Sequence, residues 1–241
     1  MNTKIVLFAF LFLIKVNAQN ILNKVEYKVG RYNTMYENNP NLKQEQTNFD
    51  VELNLLDYVL LYDNSKSIFY LTNGMSKSDD FEAQSARVMA GGTCYKNLIT
   101  LEKIEQIDSF DQQYNVIKDI NEYSWEITNE IKIINGYKCF KAITKKELRN
   151  ELKASTSTFN PVVWFCPEIP SVFGPKGLDG LPGLVLEGTF NGRIYFYATK
   201  INFNNQENLK IEKPTKGQFV TETEMTKIDL ANFKKYNEIR N

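Results

Sequence analysis

The segment Ile127-Thr-Asn-Glu-Ile-Lys-Ile-Ile-Asn-Gly-Tyr-Lys-Cys-Phe-Lys-Ala-Ile-Thr144 sets the fold class. Two apolar-rich runs flank Asn135-Gly136, and a central Asn-Gly suits the tight turn of a β-hairpin, whose backbone must enter the left-handed region at both residues. The same grammar recurs at Asn191-Gly192, between Leu184-Val-Leu-Glu-Gly188 and Arg193-Ile-Tyr-Phe-Tyr-Ala-Thr-Lys-Ile-Asn-Phe203. A third hairpin is expected at Asp63-Asn-Ser65, between strands at 50–62 and 66–72.

Working toward the N-terminus, Val25, Tyr27 and Val29 alternate with Lys24, Glu26 and Lys28, the period of a half-buried strand. The polar stretch 32–47 reads as a loop. In 50–62, Val51, Leu53, Leu55, Val59 and Leu61 share one parity. Residues 79–90 break the pattern: Ser78 can cap, Asp79 and Asp80 suit a helix N-terminus, Phe81, Ser85, Val88 and Met89 fall on one face, and Gly91-Gly92 ends the run. At the other end, Thr221 and Glu224 have capping-box spacing, and Met225, Ile228, Phe233 and Tyr236 predict a short helical tail. Eight to ten strands joined by hairpins, with no crossover helices, predict a mainly β fold: a curved antiparallel sheet or open half-barrel with a covering helix and a helical C-terminal tail.

Residues 1–18 have the form of a cleavable signal peptide, with Lys4, the apolar run Ile5 to Ile14, and small residues Val16 and Ala18 before the expected cut. The run is too short to span a bilayer, which takes about 20 residues, so no stable membrane span is expected. Residues 19–241 are expected to form a single exported domain, in the periplasm, the envelope or outside the cell. Loss of Lys4 and Lys15 leaves 27 basic and 29 acidic residues, a balance that offers no long-range attraction to nucleic acid.

Histidine is absent from the chain, which removes Ser-His-Asp and Cys-His triads and HExxH zinc sites. Three scattered cysteines do not supply a zinc site, and no cofactor is implied. Carboxylate, lysine and tyrosine chemistry stay open, but Asp and Glu are too numerous for a catalytic pair to stand out, so no catalytic residue is assigned. Cys139 and Cys166 lie in strand-like segments joined by a turn-rich link and form a candidate disulfide, with three free buried thiols as the alternative.

Four of the seven prolines fall in the Gly/Pro-rich segment 167–183, which therefore cannot be a helix interior or a central strand. It ends in Gly180-Leu-Pro-Gly-Leu-Val185. This hexapeptide resembles the motif that names the GLPGLI family, exported proteins of Bacteroidota without an established biochemical role, with Val185 in place of isoleucine. Asn135-Gly-Tyr-Lys-Cys-Phe-Lys-Ala142, Val163-Trp-Phe-Cys-Pro-Glu-Ile-Pro170 and Phe173-Gly-Pro175 extend the resemblance in order. It implies export and a largely β fold, and carries over no catalytic residue. In layout alone the chain is also similar to the periplasmic half-barrels that carry lipoproteins.

Gly180 and Gly183 allow positive φ while Pro182 stiffens the turn, so the motif can be a turn that orients two strands. Alternatively Trp164, Phe165, Pro170, Phe173, Pro175, Leu181 and Pro182 line a mouth for an apolar small molecule, lipid or peptide. Three functions follow: a binding protein with its ligand in the concave face of the sheet; an assembly partner of an envelope protein, acting through a sheet edge or the Pro/Gly segment; and, third, a carboxylate hydrolase.

Overall fold

The computed structural model describes residues 21–32, 48–74, 81–150 and 155–240. The expected signal peptide, most of the 32–47 loop and the capping residues Ser78, Asp79 and Asp80 lie outside the described residues.

The chain runs β1 (Asn23–Arg31), α1 (residues 48–54), β2 (Leu56–Tyr62), β3 (Lys66–Gly74), α2 (Phe81–Ala90), β4 (Thr93–Asn97), β5 (Glu102–Ser109) and β6 (Gln112–Lys118). It continues through β7 (Glu126–Ile134), β8 (Tyr137–Ile143), β9 (Lys146–Asn150), β10 (Ser155–Phe159), β11 (Val162–Cys166), a 3-10 turn at Pro175–Gly177, β12 (Leu184–Thr189), β13 (Ile194–Asn202), β14 (Gln218–Thr221) and α3 (Glu222–Arg240). Twelve strands make one curved open sheet in the order β14-β6-β5-β4-β3-β2-β1-β13-β12-β11-β8-β7, and β9 and β10 pair separately. The pairings are antiparallel apart from β14 beside β6. The fold is thus the expected mainly β, open curved sheet with helices. No described helix is long and apolar enough to cross a membrane.

The hairpin that sets the class forms as expected. Asn135 and Gly136 both have positive φ, 51° and 84°, and Ile134 faces Tyr137 across the turn. Thr221 and Glu224 close the capping box in both directions: the Glu224 carboxylate accepts from the Thr221 backbone N–H at 2.7 Å, and the Thr221 hydroxyl accepts from the Glu224 N–H at 3.2 Å.

Two expectations are corrected. Residues 50–54 belong to α1 rather than to a strand: Leu53 is buried while Val51 and Leu55 are exposed, and Phe49 and Leu53 reach the core at the four-residue spacing of a helix. In α2, Ala83, Ala86 and Ala90 are buried, while Phe81, Val88 and Met89 are exposed. The alanines form the buried face, and Ala86 and Ala90 join the largest cluster.

The largest cluster gathers Tyr27, Tyr58, Phe69 and Phe196 from the neighbouring strands β1, β2, β3 and β13 with Phe173 of the Gly/Pro segment. Tyr58 and Phe69 stack at 4.9 Å, and Phe196 meets both edge-on at 5.4 Å. The Tyr27 hydroxyl donates to the Val185 carbonyl at 2.6 Å, which satisfies a phenol that burial would otherwise penalise.

Leu184 and Val185 bond to the carbonyls of Ile169 and Phe173, so the Gly/Pro segment folds back along β12. Gly180 has φ 93° and open space around it, whereas a Cβ on Gly183 would lie 2.4 Å from the Cys166 carbonyl oxygen. Gly180→Ala should therefore cost about 1–2 kcal/mol of backbone strain, and Gly183→Ala more, because β11 would have to move; chemical denaturation of the two variants checks the order. Thr221→Ala should lower stability by about 1 kcal/mol through loss of the cap, read in the same experiment.

Candidate functional site

On the inner face of the sheet, three lysines stand directly opposite one another on adjacent strands: Lys96 of β4 pairs with Lys103 of β5, which pairs with Lys118 of β6. Like charges in cross-strand pairs repel, and these side chains are 6%, 5% and 17% exposed, so the row must be compensated. The compensation comes largely from outside these strands. Asp179 takes Lys96 at 2.7 Å and Lys103 at 3.1 Å; Glu122, just after β6, takes Lys103 at 2.9 Å and also pairs with Lys146; Glu222, the first residue of α3, takes Lys118 at 2.7 Å and Lys146 at 3.7 Å. Glu105, on β5, bridges Lys118 at 3.3 Å and Lys176 at 2.5 Å. The result is one alternating chain, Lys96-Asp179-Lys103-Glu122-Lys146-Glu222-Lys118-Glu105-Lys176, with five ammonium groups and four carboxylates.

Tyr123 sits inside this chain, with the Lys103 ammonium 4.9 Å from its ring centroid and Lys146 at 5.6 Å on the same ring. Trp125 lies against Tyr123 at 5.0 Å and donates its indole N–H to the Asp179 carbonyl. Lys96 and Lys103 also donate to the carbonyls of Ile120 and Gly177, so backbone oxygens complete their shells.

Burial opposes charge here and the partners overcome it. The Glu105 carboxyl, which desolvation alone would raise, is held down to about 2 by Lys176 and Lys118. Glu122 is lowered against its own burial by Lys103 and Lys118. Lys103, Lys118 and Lys176 are raised, again against desolvation, by the carboxylates beside them. Burial pushes the Tyr123 phenol up, and the Glu122 and Asp179 charges push it further. Burial also drives the Cys94 thiol up to about 12, so it is no nucleophile at neutral pH.

A cavity of about 220 Å3 opens beside the charged chain. Lys103, Lys118, Lys146 and Lys176 line it with Glu105 and Glu122, and Met89, Cys94, Tyr123, Phe190 and Ile194 supply its apolar wall. These residues come from β4 to β6, the β12–β13 turn and β13, with Met89 from α2, Glu122 and Tyr123 from the connection after β6, Lys146 from β9 and Lys176 from the 3-10 turn, so the cavity lies within the curve of the sheet. A larger groove of about 720 Å3 runs between α2, β5 and Asp229 of α3, and shares Glu105 and Lys176 with the cavity.

None of the seven residues expected to form a mouth lines the 220 Å3 cavity. Phe165, Phe173, Pro175 and Leu181 are buried, Phe173 in the largest cluster and Phe165 with Leu181 in a second one. Pro170 and Pro182 are exposed, and Trp164 is half-buried under the Lys132 ammonium at 5.6 Å. The motif residues Gly183, Leu184 and Val185 are buried where β12 begins. What the Gly/Pro segment contributes to the charged site is Lys176 and Asp179, just before the motif. Cys139 and Cys166 are free, buried thiols in neighbouring positions, since the β8–β11 register ends with Phe165 opposite Phe140.

A family described as "Protein of unknown function (Porph_ging)" matches residues 125–187, the stretch from Trp125 through β12's Glu187. No curated protein matches the chain at a significant level. Among solved structures, PNGF-II in one crystal form aligns with 87% of this chain at 15% identity and a TM-score of 0.53, and PNGF-II in a second crystal form aligns with 87% at 14% and 0.52. The chain spans about a third of PNGF-II, 33% and 32% in the two forms. At that identity the likeness is one of fold.

Glu105 ionises near 2 when folded against about 4.5 when unfolded, so it contributes stability that is complete above pH 4.5 and is lost as pH falls toward 2. Glu105→Gln should lower stability at neutral pH and flatten the dependence between pH 4.5 and 2, measured by urea denaturation across that range.

Proposed function

We propose that the protein is a binding protein whose ligand occupies the 220 Å3 cavity within the curve of the sheet. The observation that carries this is the composition of the wall: the apolar residues Met89, Phe190 and Ile194 line the same space as fixed, ionised groups. A cavity of about 220 Å3 lies below the usual range of drug-sized sites, which favours a small ligand. An apolar body and a polar end are what such a wall accepts.

The hydrolase function finds less support. A carboxylate pair that cleaves glycosidic bonds needs one member protonated as the acid. Glu105 and Glu122, the two carboxylates in the cavity wall, are both held below the ordinary range by lysines. An envelope partner keeps one observation in its favour: the edge strand β7 exposes Ile127, Ile131 and Ile133. The Pro/Gly segment supports that function less, because Ile169, Phe173, Leu178 and Leu181 are turned into the protein.

The binding function is read here as one performed after export, in the periplasm or beyond, in keeping with the form of residues 1–18. In an oxidising compartment Cys139 and Cys166 would be placed to pair.

Octanol and octanoate serve as small probes with an apolar body. Binding to the folded state should raise Tm with probe concentration. Ile194→Trp, which fills the cavity from β13, should abolish that rise while itself costing about 1–3 kcal/mol for overpacking. No rise with either probe in the unsubstituted protein would sink the proposal.

A further inference from the structure

The charged chain does not balance. Its five lysines outnumber its four carboxylates, and both ends of the chain are lysines. A buried excess charge is costly unless an opposite charge is brought to it. At one end, Lys96 does not line the 220 Å3 cavity, and its ammonium also donates to the Ile120 carbonyl. At the other end, Lys176 does line it. Among the described residues its ammonium has one hydrogen-bond acceptor, Glu105, which it shares with Lys118, although an ammonium carries three donors.

The backbone around Lys176 is built to hold it there. Lys176 has φ 53°, a left-handed conformation unusual for a residue with a side chain, inside the 3-10 turn that starts at the buried Pro175. Across from it, Gly91 ends α2, and a Cβ on that glycine would lie 1.8 Å from Lys176 Nζ. Backbone strain and a missing side chain together make room for one ammonium group at the cavity wall. Lys176 and Glu105 also line the larger groove, so this group stands where the two spaces meet.

We infer that the ligand of this cavity is a small monoanion with an apolar body, such as a short-chain carboxylate, whose charged head is received by Lys176 and whose body lies against Met89, Phe190 and Ile194. The inference rests on the binding function proposed above and adds the charge of the ligand and the residue that reads it. One negative charge makes the chain of nine groups neutral with ten. The unused donors of Lys176 accommodate an oxyanion without breaking its pair with Glu105. A second anionic charge would overshoot the balance, so a monoanion is favoured over a dianion. Lys118 and Lys146 act differently: each is held between two carboxylates, so they set the field of the wall without being its free receptor.

Isothermal titration of the purified protein with octanoate, octanol and octylammonium tests this, because the three share a tail and differ in the head. Octanoate should bind roughly tenfold to a hundredfold more tightly than octanol, the range for one charged hydrogen-bonding contact, and octylammonium most weakly. Lys176→Met should erase the preference for octanoate over octanol while octanol binding stays, and Lys176→Arg should retain most of it. Thermal unfolding of each variant without probe reports whether it is folded. Should Lys176→Met not fold, the ranking of the three probes on the unsubstituted protein still decides. Octanol binding as tightly as octanoate, or a preference that survives in folded Lys176→Met, would overturn the inference and leave the cavity as a binding site. Binding of none of the three would overturn both the inference and the function on which it rests.

Discussion

Three lysines in a cross-strand row on the inner face of a sheet are a configuration that no sheet holds by itself. Lys96, Lys103 and Lys118 repel one another and each loses water on folding, so their positions depend on carboxylates that other parts of the chain deliver. Asp179 comes from the Gly/Pro segment, Glu122 from the connection after β6, and Glu222 from the start of the C-terminal helix. The Gly/Pro segment and the C-terminal helix are also held by apolar packing, through Phe173, Leu178 and Leu181 and through Met225. The ion pairs with the row add an electrostatic tie to each of them.

The Gly/Pro segment shows how the backbone serves this demand. Its prolines and glycines let the chain fold back along β12, with Gly183 packed against the Cys166 carbonyl and Val172 and Ile169 accepting bonds from Gly180 and Leu184. Leu178 and Leu181 anchor it in an apolar cluster beside Phe165. Between these two leucines the carboxylate of Asp179 turns the other way, into the lysines, and its carbonyl receives the Trp125 indole. A rigid turn is what holds a carboxylate at hydrogen-bond distance from two ammonium groups at once. The motif is thus a structural device whose consequence is electrostatic.

Much of the fold was legible in the sequence because it is written locally. Asn135-Gly136 specifies its own turn, the alternation in Lys24 to Val29 specifies its own face, and Thr221 with Glu224 caps its own helix. The errors fall where local pattern is ambiguous. Val51, Leu53 and Leu55 satisfy strand parity, but Phe49 and Leu53 satisfy helical spacing, and burial chose the latter. In α2 the larger apolar residues suggested the buried face, whereas the residues that are buried are Ala83, Ala86 and Ala90. The site was far less legible. Lys96, Lys103 and Lys118 are ordinary lysines in ordinary strands, and only the register of β4, β5 and β6 puts them in line. Two signals were present: lysines on the parity of apolar neighbours, as with Lys96 beside Cys94, and an acid, Asp179, inside an apolar turn. Neither names its partners without the topology.

Of the aromatic and proline residues expected in a mouth, Phe165, Phe173, Pro175 and Leu181 are buried, whereas Pro170 and Pro182 are exposed. Phe165, Phe173 and Leu181 are consumed in core packing, which fixes the segment so that Lys176 lines the cavity and Asp179 meets Lys96 and Lys103 beside it. The cavity wall that results mixes ionised groups with apolar side chains. Such a wall favours a molecule with a compact polar head, since an apolar molecule alone would have to leave the ammonium and carboxylate groups desolvated without a new partner.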